Sequence, residues 1–395
     1  MSEKSKIAER EEEILKFWQE NKIFEKSLEK PAPKGEFVFY EGPPTANGKP
    51  GIHHLEARAF KDLIPRYKTM RGYHVRRKGG WDTHGLPVEL QVEKQLGLKS
   101  KKEIEDYGIE KFNQKCKESV WEYVDLWEKF TDRIGFWVDQ KNPYITYKNY
   151  YIEAVWNILK KIEERKLLYK DYKVVPWCPR CGTGLSSHEL AQGYEDVKDL
   201  SITIKFKLKS GQKFGEKKEF ETGNSAYILA WTTTPWTLPG NVALAIKNNI
   251  SYSAVRVDKV KELLILATDL IPKVLEGHEI EKVHEFKGKG LLGLEYEPLY
   301  PYAEKFASVL EKEKMPKAFK IYNADFVTTE DGTGVVHTAV MYGQDDFELG
   351  NEIGLPKIHL VNEDGTFKNS MDFMSGRFVK EKNEKEKPTL DIDII

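Results

Sequence analysis

Apolar residues recur along the first part of the chain at the three- and four-residue steps of helices, and further on at the alternating step of strands. Ile7, Ile14, Phe17 and Trp18 predict an amphipathic helix over 6–27, which Pro31-Ala32-Pro33 ends. The run FVFYEG (37–42) reads as a short buried strand, and PPTANGKPG (43–51) is too rich in Pro, Gly and Asn for regular structure. Leu55, Ala59, Leu63, Tyr67 and Met70 then return to helical spacing. The order strand, loop, helix is that of a nucleotide-binding α/β unit. Phe112, Cys116, Val120, Tyr123, Trp127, Phe130 and Ile134 predict a helix over 110–134, and Ile152, Val155, Trp156, Leu159 and Ile162 another over 150–166. Both stripes read as core packing.

The texture changes near Pro176. Ile202, Ile204, Phe206 and Leu208 alternate with polar residues, as in a half-buried strand. AYILAW (226–231), VALAI (242–246), YSAVRV (252–257), LLILA (263–267) and GVVHTAV (334–340) follow at strand lengths, punctuated by Gly and Pro. They predict a β-rich domain too large to be a hairpin insertion. No internal repeat is evident, and KEKNEKEKP (380–388) reads as a solvated charge run.

Composition narrows the class. The chain has 395 residues, 40% of them hydrophobic, enough for two or three domains with their own cores. Its 62 basic and 63 acidic residues nearly cancel, so any contact with nucleic acid must come from a local patch. No run approaches the ~18 apolar residues of a membrane span. The start, MSEKSKIAEREEE, lacks the apolar centre of a secretory signal, and three cysteines do not make a disulfide scaffold. These features point to a cytoplasmic protein with no membrane partner.

Two sets of residues carry candidate chemistry. His53 and His54 follow the loop at a helix N-terminus, where unpaired N–H groups and about half a positive charge attract anions. Two histidines capping a helix would look the same. Further on stand WTTTPWTLPGN (231–241) and GTGVVHTAVMYGQDD (332–346). Threonine hydroxyls can hold water or a ribose, but a strand's preference for threonine explains one or two of them equally well.

The wording FYEGPPTANGKPGIHH, followed by GWDTHGLPVE (80–89), resembles the class I aminoacyl-tRNA synthetases for isoleucine, valine and leucine. In that class the first strand leads to an HIGH tetrapeptide that binds ATP phosphates. The matching residues here are Gly51-Ile52-His53-His54, with glycine and histidine exchanged at 51 and 53, a form that some isoleucine enzymes share. The resemblance implies ATP with Mg²⁺ as cofactor, held by Gly51, His53 and His54. It implies Asp82 on the substrate α-ammonium, and Glu41, Gly42 and Pro43 around an aliphatic side chain. Arg58, Lys61 and Lys68 read as helix surface charges.

WTTTPWTLPGN and the HTAV segment together resemble the editing domain of the isoleucyl-tRNA synthetases, where valine and leucine relatives typically read TTRPET or TTRPDT. The resemblance implies a threonine pocket of Thr232, Thr233 and Thr234, His337 beside the misacylated 3′ end, and Asp346 on the substrate α-amino group. Val340 stands where many relatives carry proline. An editing site has a physical reason: a missing methylene in an apolar pocket is worth only about 1–3 kcal/mol, isoleucine against valine being the standard illustration. The expected chemistry is ester hydrolysis by a positioned water, since no Ser or Cys sits in a nucleophile elbow.

Cys178 and Cys181, in WCPRCG, have the C-x₂-C spacing of one edge of a tetrahedral Zn²⁺ site. His188 is a third candidate and a fourth is not evident. In the family the matching pair lies further downstream. The expectation is a half site, with zinc bound only if the missing ligands are supplied.

The whole reading is an α/β chain: an incomplete Rossmann-like class I catalytic domain (1–175), an inserted β-rich editing domain (176–378) and a charged tail (379–395). No KMSKS-like loop occurs. The implied partners are isoleucine, ATP and the acceptor end of tRNA(Ile), with a possible partner chain carrying the missing half. A stand-alone tRNA-binding or deacylase module is the alternative; the presence of Gly42–His54 argues against a free-standing hydrolase.

Overall fold

The computed structural model describes residues 5–191, 193–258 and 260–395. The chain divides into two compact units, the first ending at Asp171 and the second spanning Tyr172–Ile395.

In the first unit the order is α1 (Lys6–Glu20), α2 (Ile23–Glu29), α3 (Ile52–Met70), β1 (Lys78–Trp81), α4 (Leu86–Leu96), α5 (Lys101–Tyr107), α6 (Ile109–Ser119), α7 (Val124–Arg133), β2 (Asp139–Ile145) and α8 (Asn149–Glu164). β1 and β2 pair in parallel. A core of Ala46, Trp81 and Trp127 sits beneath the loop that leads into α3.

Several predicted elements differ here. The helix expected over 6–27 is two helices, because Lys22 is left-handed (φ 49°) and the Asn21 side chain donates to Phe17 O at the end of α1. The helix expected over 110–134 is also two: the Trp121, Glu122 and Val124 N–H groups bond three residues back rather than four. Such a turn barely disturbs the phase of the apolar stripe, so periodicity does not register it.

The buried strand expected at 37–42 does not form. Among the described residues only isolated bridges occur there, Glu36–His74 just before the segment and Thr45–Asp82 just after it. Among the described residues no strand flanks its other side, and Val38 and Tyr40 are 69% and 87% exposed.

The apolar stripes of α3 and α8 are not core either. α3 buries Arg58, Pro65 and Thr69 and exposes Ile52, Phe60, Leu63, Tyr67 and Met70. α8 buries none of its residues. Periodicity reports that a helix has an apolar face; what covers that face lies outside the pattern.

The second unit opens with a small hairpin of β3 (Trp177–Cys178) and β4 (Thr183–Gly184), then α9 (Ser187–Ala191). Its strands are β5 (Ile202–Lys207), β6 (Lys213–Phe214), β7 (Phe220–Glu221), β8 (Ala226–Thr232), β9 (Ala243–Ile246), β10 (Ser251–Val257), β11 (Leu263–Ala267), β12 (Ile280–Lys287), β13 (Lys320–Asn323) and β14 (Val336–Thr338). Short helices α10 (Ile271–Val274), α11 (Tyr302–Phe306) and α12 (Val309–Lys312) fill its corners, with α13 (Gln344–Ile353) and α14 (Leu390–Ile394) at the end. Eight strands form one mixed sheet in the order β12-β10-β11-β8-β14-β9-β13, with β5 also paired to β8. The near-continuous apolar run of β8 follows from that central place: most of its residues are buried, whichever face they point to.

Beyond the solvated run 382–387 the chain is not a loose tail. Leu390 and Ile394 are buried in the main core and Tyr300 donates to Ile394 O (2.8 Å); ahead of the run, Lys380 pairs with Asp199 (2.9 Å).

Candidate functional site

In the first unit, Gly51, His53 and His54 stand at the start of α3. The Gly51 N–H donates to His54 Nδ1 (2.9 Å) and the His54 N–H returns to Gly51 O (3.0 Å). Accepting at Nδ1 places the proton of a neutral His54 on Nε2, which makes Nε2 a donor. Burial and the neighbouring His53, Arg58 and Lys61 charges hold the imidazole below its ordinary range, so it is neutral at pH 7. The N–H groups of Ile52 and His53 have no intrahelical acceptor.

Glycine and histidine at 51 and 53 are spatially linked. A Cβ on Gly51 would lie 2.9 Å from His53 Cε1, so the imidazole occupies the space above the glycine. The two rings His53 and His54 are 3.8 Å apart, and His54 meets the Trp127 ring edge-on at 4.7 Å. Trp127 Nε1 donates to Gly48 O (2.8 Å) and pins the loop.

The Glu41 side chain is nearly enclosed and takes a 2.7 Å ion pair from Lys61. Its second oxygen has no partner among the described residues. Gly42 is exposed and Pro43 half-buried beside it. Asp82 is half-buried at the end of β1, tied by its N–H to Pro44 O (3.0 Å). Of the three cations read as surface charges, Arg58 is 7% exposed. It stacks over Trp127, Phe136 and Phe130 and donates to Thr131 Oγ1. Spacing alone could not find Arg58, because a basic residue next to an apolar stripe reads as solvated.

In the second unit the sheet brings the two threonine- and histidine-bearing segments together. β14 pairs with both β8 and β9, with Val336 opposite Trp231 and His337 opposite Leu244. β8 ends at Thr232 and the chain turns into a 3₁₀ helix, Pro235–Gly240. Thr232 Oγ1 accepts from the Thr234 N–H (3.1 Å), and Thr237 Oγ1 donates to Thr234 O (2.8 Å). Thr237 Oγ1 also lies 3.0 Å from His337 Nε2. A hydroxyl has one proton, and Thr237 has given it to Thr234 O, so Nε2 is the donor to Thr237. That leaves His337 Nδ1 as a bare acceptor, buried and unpartnered among the described residues. Burial pushes the imidazole down to about 4, so it is neutral.

Asp346 lies in the first turn of α13, and its carboxylate accepts from the Ala339 N–H (3.3 Å) two residues past His337. Burial pushes it up to about 7, against that hydrogen bond, with Asp345 adding to the rise. Asp345 itself is exposed. Val340 packs its methyls against Gly350 of α13, at 2.7 Å from where a Cβ would stand, and so seats the helix that carries Asp346.

Thr233 is exposed, and no hydrogen bond ties it to the Thr232–Thr234–Thr237–His337 network among the described residues. The sequence reading singled out neither Thr237 nor the buried pair Tyr296–Asn241 (2.6 Å), although WTTTPWTLPGN contains both Thr237 and Asn241. Their polarity inside a run of buried residues was the available signal.

The Cys178 and Cys181 thiols face each other in the β3–β4 hairpin. The Cys181 N–H donates to Cys178 Sγ (3.4 Å), and burial and Cys178 raise the Cys181 thiol. Among the described residues no group of three His, Cys, Asp or Glu could hold a metal, so His188 does not complete a zinc site and the pair does not suffice for one. No helix among them is long and apolar enough to cross a membrane.

A family model described as tRNA synthetases class I (I, L, M and V) matches residues 13–352. The isoleucine–tRNA ligase of Clostridium novyi (strain NT) is 52% identical over 375 residues, covering 95% of this chain and 34% of that protein. The isoleucine–tRNA ligase of Clostridium acetobutylicum is 53% identical over 375 residues, with the same coverage of 95% and 34%. The chain thus spans about a third of the length of the curated relatives it matches. Among solved structures, the P. falciparum cytosolic leucyl-tRNA synthetase editing domain aligns at 17% identity over 32% of this chain and 46% of that one, with a TM-score of 0.25.

Proposed function

We propose that this chain, which belongs to the class I tRNA synthetases (I, L, M and V), supplies the amino-acid- and ATP-binding half and the editing domain of an isoleucine–tRNA ligase. The high identity to isoleucine–tRNA ligases over most of the chain supports the choice of amino acid. The observation that carries the editing reading is the contact of Thr237 with His337, which joins the two segments into one polar site with Asp346 beside it.

Class I synthetases use ATP with Mg²⁺, and the residues at the start of α3 fit a phosphate. The unpaired N–H groups of Ile52 and His53 and the Nε2–H of His54 are donors that favour an anion without adding a full charge. ATP supplies the phosphoanhydride that activates a carboxylate. Asp82 would hold the α-ammonium of isoleucine, with Glu41, Gly42 and Pro43 around its side chain. The chain alone is expected to form negligible isoleucyl-adenylate, because it holds only part of the charge-stabilising groups. A partner chain or further sequence would supply the rest. Substantial isoleucine-dependent ATP–pyrophosphate exchange by this chain would overturn that expectation.

In the editing site a water adds to the ester carbonyl of valyl-tRNA(Ile). The ester C–O bond then breaks, giving valine and a free 3′-ribose hydroxyl. Asp346, ionised, would pair with the substrate's α-ammonium. The threonines would orient the 3′ end, with His337 behind them holding Thr237. The setting is the cytoplasm, where tRNA is charged. The test is hydrolysis of valyl-tRNA(Ile) by the full chain. Release of valine that collapses in Asp346→Asn and His337→Ala is expected; release no faster than in buffer by folded protein would refute the reading.

A further inference from the structure

Tyr342 stands in the loop between β14 and α13, next to the Gly343 that caps α13, and the chemistry above does not use it. Its N–H donates to Ala339 O (2.9 Å) and closes a four-residue turn. The Ala339 N–H at the start of that turn is the donor to Asp346 (3.3 Å). The backbone of Tyr342 therefore belongs to the structure that holds this carboxylate.

Its side chain reaches the 3₁₀ helix Pro235–Gly240. The ring meets the Trp236 indole edge-on, with centroids 5.2 Å apart. A Cβ on Gly240 would stand 2.9 Å from the ring's Cε2, so glycine is what lets the ring lie this close. Trp236 and Gly240 flank Thr237, whose hydroxyl meets His337. The indole Nε1 has no partner among the described residues, so no hydrogen bond fixes the Trp236 ring. The Tyr342 ring is held at its far end as well. Its Oη accepts from the Leu360 N–H (2.9 Å), and Leu360 is fully buried in the main core. Only two side-chain torsions place a tyrosine ring, and the bond at its tip steadies both. One residue thus touches both halves of the candidate site, through its backbone on one side and its ring on the other.

We propose that Tyr342 is a positioning residue for the threonine–histidine site: its ring sets the distance between the 3₁₀ helix that carries Thr237 and the turn that presents Asp346. The hydrolytic readout rests on the editing reading; the two spectroscopic readouts do not.

The test compares Tyr342→Leu with Tyr342→Phe in the full chain. Phenylalanine keeps the ring and loses the hydroxyl; leucine loses both. Both variants should lower the denaturation midpoint, because the buried Leu360 N–H loses its acceptor. Only Tyr342→Leu should change the site. The ¹⁵N shifts of its His337 ring should lose the Nε2–H signature. Its Asp346 carboxyl, followed by ¹³C shift, should titrate below about 7, nearer the ordinary carboxylate range, as the turn loosens and water reaches it; Asp345, the other charge acting on it, is unchanged. Its kcat/KM for valyl-tRNA(Ile) hydrolysis should fall about tenfold, while Tyr342→Phe stays within about threefold of the unsubstituted chain. Gly240→Ala puts a methyl into the same contact and should also slow hydrolysis; the double variant Gly240→Ala, Tyr342→Leu should be faster than Gly240→Ala alone, because the smaller side chain makes room.

Unchanged His337 shifts or an unchanged Asp346 titration in Tyr342→Leu would overturn the proposal. So would a phenylalanine variant that loses as much as the leucine one, or a double variant no better than Gly240→Ala. If the unsubstituted chain hydrolyses nothing, the editing reading fails, and the two spectroscopic readouts alone decide the role of Tyr342. Tyr342→Met takes the place of the leucine variant if that one does not fold.

Discussion

Thr237 Oγ1 stands 3.0 Å from His337 Nε2 although 100 residues separate them. The contact exists because β14 slots between β8 and β9, so the residue after the β8 turn meets the middle of β14. One hydroxyl thereby fixes both the turn, through Thr234 O, and the proton position on the imidazole.

Thr237→Val should separate these effects from simple packing, because valine keeps the shape. It leaves the buried Nε2–H without an acceptor, which costs about 1–3 kcal/mol. We expect the chemical denaturation midpoint to fall accordingly, and valyl-tRNA(Ile) hydrolysis to drop about tenfold or more. An unchanged hydrolysis rate would separate the hydroxyl from the reaction.

Asp346 gives a pH dependence with a definite sign. Folding raises its carboxyl from the ordinary carboxylate range to about 7. The folded state therefore binds more protons than the unfolded one between about 4 and 7, and stability falls as pH rises through that window. Asp346→Asn should stabilise the chain at pH 8, by on the order of 2–4 kcal/mol, and change little at pH 4. Hydrolysis by the unsubstituted chain should rise with pH through about 7 as the carboxylate forms. Melting curves and rate profiles across this range check both.

His337 works in the other direction. Its folded value of about 4 lies below the ordinary imidazole range. The stability associated with the neutral ring is present above about 6.5 and is lost as pH falls towards 4. His337→Gln should flatten this acid loss, read as the melting temperature between pH 6.5 and pH 4.

In the first unit, Arg58→Ala should destabilise by about 2–4 kcal/mol. It removes a guanidinium stacked on Trp127 and Phe136 and leaves a void among aromatic rings. Tryptophan fluorescence during urea unfolding would report it; a change under about 0.5 kcal/mol would mean that Arg58 acts as a surface charge.

The strands of the second unit were legible because β-branched and apolar runs sit between Gly and Pro breaks. Ala226–Thr232 and Leu263–Ala267 fall almost where the pattern puts them. The breaks at Lys22 and at Val120–Tyr123 were not legible, since neither carries Gly or Pro and both keep the helical phase. The 37–42 segment failed for another reason. Its apolar content predicts a strand, but strand formation needs partners on its edges, and composition cannot supply them. The segments WTTTPWTLPGN and HTAV, far apart in the chain, are neighbours in the sheet. Which threonine meets the histidine depends on the 3₁₀ turn, which brings Thr237 to His337.

The inverted dressing of α3, with Arg58 and Thr69 turned inward and Phe60, Leu63, Tyr67 and Met70 facing water, bears on how the chain behaves in a tube. A greasy helix flank of that kind adheres to its like. Preparations should grow turbid as concentration rises, and sooner in ammonium sulfate than in dilute buffer, since sulfate strengthens apolar association. Mild detergent should keep them clear without disturbing the threonine–histidine site, which belongs to the other unit.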